Sequence, residues 1–208
     1  MQLIGYLDSP FVRRVAVTMR FLGIEYEHRE LSIFRNYDEF RQIHPAVKVP
    51  TLVCDDGSAL IDSTLIINYL EQHVAHRSLM PSDKAQFQQA TYNLGLALVA
   101  MEKVAQLIYE TGHRPAERQH GPWIERIEQQ LAGAVGLMES SVADAAQAGN
   151  DWLMGNELNQ ADISTAVAWR FTQHIDRVSF GPDDYPALAA YSARAEELAE
   201  FKACPLSG

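Results

Sequence analysis

Apolar positions fall into two regimes along the chain: strand spacing interleaved with short helical stretches in the first third, and helical spacing alone afterwards. Residues 51–54 form a short, partly β-branched apolar run. Asp55-Asp56-Gly57-Ser58 then carries an Asp-Gly hairpin signal, and residues 59–61 return as a second strand. Upstream, residues 2–6 read as a strand. Asp8-Ser9-Pro10 opens a helix with Val12, Val15, Met19 and Leu22 on one face, and Gly23 closes it. Residues 24–31 alternate as a further strand, and residues 37–43 fit a short helix ahead of His44-Pro45. From Thr64 to about Val74, Ile66, Ile67, Leu70 and Val74 recur at helical spacing. Strand-helix-strand implies a right-handed parallel crossover and the hairpin adds an antiparallel pair, so the pattern predicts a mixed four-stranded sheet over residues 1–76.

Residues 77–84 break the periodicity around Pro81 and read as a linker. Residues 85–208 show no strand pattern and read as an all-α helical bundle. Leu94, Ala97, Met101, Val104 and Ile108 mark a first helix, and Ile127, Leu131, Val135 and Met138 a second. Asn159 and Asp162 bracket the start of a third helix, and a fourth starts at Pro186.

Composition narrows the function classes. With 208 residues, 47% of them hydrophobic, the chain has material for real cores. The formal charge of −10 comes without a basic stripe, so neither a nucleic-acid footprint nor attraction to an anionic membrane is expected. The opening residues go directly into strand and turn with no signal-peptide pattern, and the expected location is cytoplasmic. Cys54 and Cys204 form no CxxC, which gives neither a disulfide framework nor a zinc site; Cys54 reads as a buried strand residue. His73 and His76 lack the acidic or cysteine partners of a metal site, so no metal is expected.

Three stretches carry candidate chemistry. A Val49-Pro50 bond adopts cis at a cost of only about 1 kcal/mol, and a cis bond would present the Val49 main chain to an extended peptide. Asp62-Ser63 opens the helix after the hairpin, where N–H groups and the dipole suit a carboxylate and Asp62 suits an ammonium. Both pieces also fit ordinary caps and turns, but together they fit a ligand with an amino-acid head and a peptide-like middle. Ser9, in the turn between first strand and first helix, supplies a hydroxyl with no neighbouring base, so it suits hydrogen-bond donation better than covalent catalysis. A plain helix cap is the alternative for Ser9.

Val49-Pro50 and Asp62-Ser63 resemble, at their usual spacing, the thioredoxin-like half of the glutathione S-transferase family. Gly155-Asn156-Glu157-Leu158-Asn159-Gln160-Ala161-Asp162 resembles the Gly-x-x-x-Ser/Thr-x-Ala-Asp stretch of that family's helical domain, with Asn159 in place of Ser or Thr. Ser9-Pro10-Phe11 is similar to the start of bacterial serine-type members. The resemblance implies a thioredoxin-like α/β domain followed by an all-α domain, glutathione as co-substrate and a homodimer. It also implies that Ser9 donates a hydrogen bond to the glutathione sulfur, with Ser9, Lys48, Val49, Asp62 and Ser63 as the binding set.

Tyr6 is a competing donor to the sulfur, and Arg35 a second candidate beside Lys48 for the glycine carboxylate. Arg13 and Arg14 read as a solvated face or one turned to the helical domain. The implied activity is transfer of glutathione to a small electrophilic, largely apolar substrate, with Met101, Val104, Ile108 and Tyr109 available to meet it. The alternative is a non-catalytic protein of the same fold that binds a protein partner.

Overall fold

A computed structural model describes residues 1–206. The chain divides into two units: Met1–Leu79 with the segment from Glu197 onward, and Met80–Glu196. The first unit runs β1 (Gln2–Ile4), α1 (Pro10–Phe21), β2 (Glu27–Arg29), α2 (Tyr37–Ile43), β3 (Thr51–Val53), β4 (Ala59–Ile61) and α3 (Ser63–Tyr69), which continues as a π turn over Leu70–Val74. The four strands form one mixed sheet in the order β2-β1-β3-β4. β1 is parallel to β2 and antiparallel to β3, and the hairpin pairs β3 with β4 antiparallel.

Side-chain chemistry explains that order. Leu3, Ile4 and Leu52 are fully buried, which suits the two inner strands, while Glu27, His28 and Arg29 leave a polar strand at one edge. Ile4 packs with Leu31 and Phe40, and Ile33, Ile43, Val47, Val49 and Val53 surround them. α1 buries Val12, Val15 and Met19 as its spacing predicts, yet it also buries Arg13 and Arg14 completely. The expected solvated face is therefore wrong for both arginines, because each has polar partners inside the unit.

The second unit contains only helices: α4 (Lys84–Ile108), continuing as a π turn over Tyr109–His113, a short 3₁₀ turn at Ala116–Arg118, then α5 (Gly121–Gln147), α6 (Gln160–His174) and α7 (Pro186–Glu196). α4 packs against both α5 and α6, and α7 against α5 and α6. Ala97, Met101, Val104 and Leu107 of α4 meet a core that includes Ile127, Leu131, Val135 and Met138 of α5. α6 is buried on every side from Gln160 to Trp169, which is why its sequence carries only a weak apolar stripe. Asp162 at its start accepts the N–H of Asn159 at 2.6 Å and of Leu153 at 2.9 Å, together with the Tyr191 hydroxyl. The expected reading of this box as a structural cap agrees with that geometry.

The chain passes from the first unit to the second between Leu79 and Met80 and comes back at Glu197. Of the range 85–208 that the sequence pattern assigns to the helical domain, residues 207 and 208 lie outside the described residues, and α8 (Ala199–Lys202) packs on α1. Arg13 Nε donates to the Cys204 carbonyl at 2.8 Å, and fully buried Phe201 meets Phe21 edge-on at 6.2 Å. Arg13 and Cys204 lie 191 positions apart in the chain, so no local pattern announces their contact.

Candidate functional site

Ser9 stands at the N-cap of α1 with extended backbone angles, and its side chain makes no bond to the helix. Pro10 occupies the first helical position, where its missing N–H costs nothing and its fixed φ is already helical. The half-buried Ser9 hydroxyl is thus not used as a cap. Tyr6 carries the Arg35 guanidinium over its ring at 5.3 Å, so the competing donor and the second cation candidate pack on each other.

Gly5 explains how the segments converge. Its φ is +132°, and a Cβ placed on it would sit 2.6 Å from a Val12 methyl and 2.9 Å from a Val49 methyl. The absence of a side chain lets the first turn of α1 and Val49 close on the end of β1. The Val49-Pro50 bond is cis. Among the described residues neither the N–H nor the C=O of Val49 has a partner, which leaves both able to pair with an added extended strand. Lys48 is exposed; its carbonyl accepts the Thr51 hydroxyl at 2.6 Å, and no bond ties its ammonium to the other candidates.

At the start of α3, Asp62 has φ +71°, a left-handed value that an L residue holds only when the surroundings enforce it. One carboxylate oxygen, Oδ1, accepts the N–H of Thr64 at 2.9 Å and of Leu65 at 3.3 Å. Two of the N–H groups expected to meet a ligand are therefore already occupied by Asp62. Oδ2 takes part in neither bond, and on this exposed residue it can meet an ammonium. Ser63 is buried, and its hydroxyl accepts from Arg14 Nη1 at 2.8 Å; the same nitrogen reaches Thr64 Oγ1 at 3.0 Å. Burial pulls the Arg14 guanidinium down to about 10, against the opposing pull of the Asp62 charge, and it remains a cation at neutral pH.

The first turn of α1 and Val49 thus converge on Gly5, while Ser63 and Thr64 join α1 through Arg14. Sequence reasoning missed Gly5 and Arg14. Gly5 has a weak signal, a lone glycine at a strand end; Arg14 has none, since a charged residue on an otherwise apolar helix reads as exposed. Of the residues expected to meet a second substrate, Met101 and Val104 are fully buried core, whereas Ile108 is half-buried and Tyr109 exposed. Among the described residues no three His, Cys, Asp or Glu side chains gather as metal ligands do, and no helix is long and apolar enough to cross a membrane.

Comparison with known proteins gives a consistent result. Residues 3–78 match the family model for the glutathione S-transferase N-terminal domain, and residues 121–194 the model for its C-terminal domain. A probable maleylacetoacetate isomerase 1 of Drosophila melanogaster is 28% identical, over 97% of this chain and 79% of its own. The maleylacetoacetate isomerase of Pseudomonas aeruginosa is 29% identical, over 78% of this chain and 77% of its own. Among solved structures, a glutathione S-transferase from Methylobacterium radiotolerans in complex with glutathione sulfonate superposes with a TM-score of 0.86 at 21% identity, covering 100% of this chain and 95% of that one. At that identity the likeness is one of fold.

Proposed function

This chain belongs to the glutathione S-transferase family, and from that premise we propose that it is a cytoplasmic, homodimeric enzyme that binds glutathione on its first unit and activates the thiol. In this reading Ser9 donates its hydroxyl to the sulfur. Val49 pairs its main chain with the cysteinyl residue, Asp62 and Ser63 hold the γ-glutamyl ammonium and carboxylate, and Lys48 meets the glycine carboxylate. The observation that carries it is the Ser9 hydroxyl, which opens α1 without being spent on capping it, on the same helix whose Arg14 reaches Ser63.

A thiol with a pKa of about 8.5 is only a few per cent thiolate at pH 7, and lowering it by about two units takes roughly 2.7 kcal/mol. A hydroxyl donor and the start of a helix, each worth roughly 1 to 2 kcal/mol toward an anion, are of the required size. The thiolate then attacks a small electrophilic, largely apolar substrate. Isomerisation, in which the same thiolate adds and leaves again, is the second reading, favoured by the two relatives named as maleylacetoacetate isomerases.

Ultraviolet titration of the thiolate in the glutathione complex tests the central claim, with conjugation to a generic aryl halide as the rate assay. The parent should show a bound thiol well below 8.5. Ser9→Ala should raise it by about one unit or more while affinity stays within a few-fold. A parent value of 8.5 or higher, or the same value in Ser9→Ala, removes the activation mechanism and puts the non-catalytic reading ahead.

A further inference from the structure

Two neighbouring residues of α1 are gripped from different sides. Val12 is fully buried and closes over Gly5, where a Cβ would come within 2.6 Å of its methyl. Arg13 is equally buried; its Nε donates to the Cys204 carbonyl at 2.8 Å, and its guanidinium lies 5.7 Å from the centre of the Phe201 ring. Successive helical residues point roughly 100° apart, so a hold on both fixes the roll of the first turn as well as its position. Arg13 is also the residue that closes this turn, its N–H donating to the Ser9 carbonyl at 2.9 Å. Ser9, whose side chain makes no bond to the helix, takes its backbone position from that closure and from its own N–H on the Tyr6 carbonyl at 3.2 Å.

The second grip comes from the end of the chain. From Glu197 onward the chain belongs to the first unit. There Cys204 meets Arg13 in the first turn of α1, Phe201 meets Phe21 at its last residue, and the Cys204 sulfur lies 3.7 Å from the Tyr26 hydroxyl beyond it. A buried guanidinium has five N–H donors to satisfy, and the Cys204 carbonyl is an acceptor it cannot lose without moving. A hydrogen bond weakens steeply once its donor is displaced or turned, and a reactive group needs placement within about 0.5 Å. Resting on the glutathione reading above, we propose that the C-terminal segment braces the thiol-activating turn: Arg13, held by Phe201 and Cys204, is a positioning residue that sets Ser9 for donation to the sulfur. In this role neither Arg13 nor the segment touches the ligand, and the effect passes through the first turn of α1.

Ultraviolet titration of the bound thiol separates a brace from simple packing. Phe201→Ala removes the ring beside the guanidinium without altering any residue assigned to the ligand. It should raise the bound thiol by about half a pH unit or more, a roughly threefold lower ratio of thiolate to thiol, with turnover at neutral pH falling alongside. Glutathione affinity should stay within a few-fold, since Val49, Asp62 and Ser63 are untouched. Arg13→Met, which keeps a long side chain and deletes its donors, should move the thiol in the same direction. In the Ser9→Ala background Phe201→Ala should move it no further, because the route runs through that hydroxyl. Leu70→Ala, a truncation at a fully buried position of the same unit outside α1 and the C-terminal segment, should lower stability and leave the thiol where the parent has it.

An unmoved thiol in Phe201→Ala or in Arg13→Met overturns the proposal. Shifts that simply add in the Ser9→Ala, Phe201→Ala double variant overturn it too, as does an equal shift in Leu70→Ala, which would make Phe201 a packing residue. If Phe201→Ala does not fold, Phe201→Leu, which keeps apolar bulk and removes the ring, takes its place in the same cycle under the same criteria. A parent whose bound thiol lies well below about 8.5 and rises in Ser9→Ala, yet ignores the Phe201 change, rejects this inference alone. A parent at about 8.5 or above rejects the activation reading and this inference with it.

Discussion

At the scale of single residues, Ser9 and Asp62 look alike in sequence, each a polar residue ahead of a helix, and the structure gives them opposite duties. Ser9 makes no cap bond, so Ser9→Ala should leave the thermal midpoint within about 2 °C, less than the roughly 2 to 4 °C that 1 kcal/mol moves in a chain of this size. A larger drop in a melting experiment would return Ser9 to the role of a cap. Asp62 does cap α3 and does so at φ +71°. Asp62→Ala should therefore lose about 1 to 3 kcal/mol in urea unfolding, combining a lost cap with a side chain poorly suited to that backbone. Asp62→Asn, which keeps an acceptor and tolerates positive φ, should stay within about 1 kcal/mol of the parent while weakening glutathione by about 1 to 3 kcal/mol. Unchanged affinity in the Asn variant would confine Asp62 to capping.

Between elements, the closest approach in the first unit is made at Gly5, where the end of β1, the first turn of α1 and Val49 come together. Gly5→Ala places a methyl 2.6 Å from Val12, and neither partner has room to withdraw, since Val12 is fully buried and Val49 packs on the Ile4 cluster. Overpacking plus a strained φ should cost about 2 to 4 kcal/mol in chemical denaturation. A change below about 0.5 kcal/mol would mean that the segments are looser than the distances imply. The same substitution pushes Val49 away, so surviving protein should bind glutathione more weakly than stability loss alone explains.

Across the whole molecule, the helical unit carries a pH-sensitive buried carboxyl, Asp162. Burial raises Asp162 from 3.8 to about 6, against the pull of its Tyr191 hydroxyl, Leu153 N–H and Asn159 N–H donors and of the nearby Arg194 charge. A carboxyl whose folded value lies above its unfolded one stabilises the fold fully below about pH 4 and loses that contribution as pH rises through about 6. The interval corresponds to about 3 kcal/mol. The unfolding free energy of the parent minus that of Asp162→Asn should therefore grow as pH falls from 7 to 4, and a flat difference over that range would show that Asp162 titrates normally. The proposed dimer belongs to this scale as well: light scattering at micromolar concentration should give about twice 23.3 kDa, and a monomer mass would remove it.

Local chemistry by itself determined a good deal. Periodicity defined the strands, the Asp-Gly hairpin and the long helices, and the short motifs at Ser9-Pro10, Val49-Pro50 and Asp62-Ser63 were readable because capping and turn formation depend on neighbours within four residues. The Asn159–Asp162 cap was legible for the same reason. What only the tertiary structure decided involves partners far apart in the chain. The placement of β1 between β2 and β3, the return of Phe201 and Cys204 to α1, and the closure of Val12 and Val49 over Gly5 are such cases. Arg14 is the sharpest of them. On a helix wheel it is a charge that ought to face water, and only the fold brings the Ser63 and Thr64 hydroxyls close enough to hold a buried guanidinium that local sequence would have assigned to the surface.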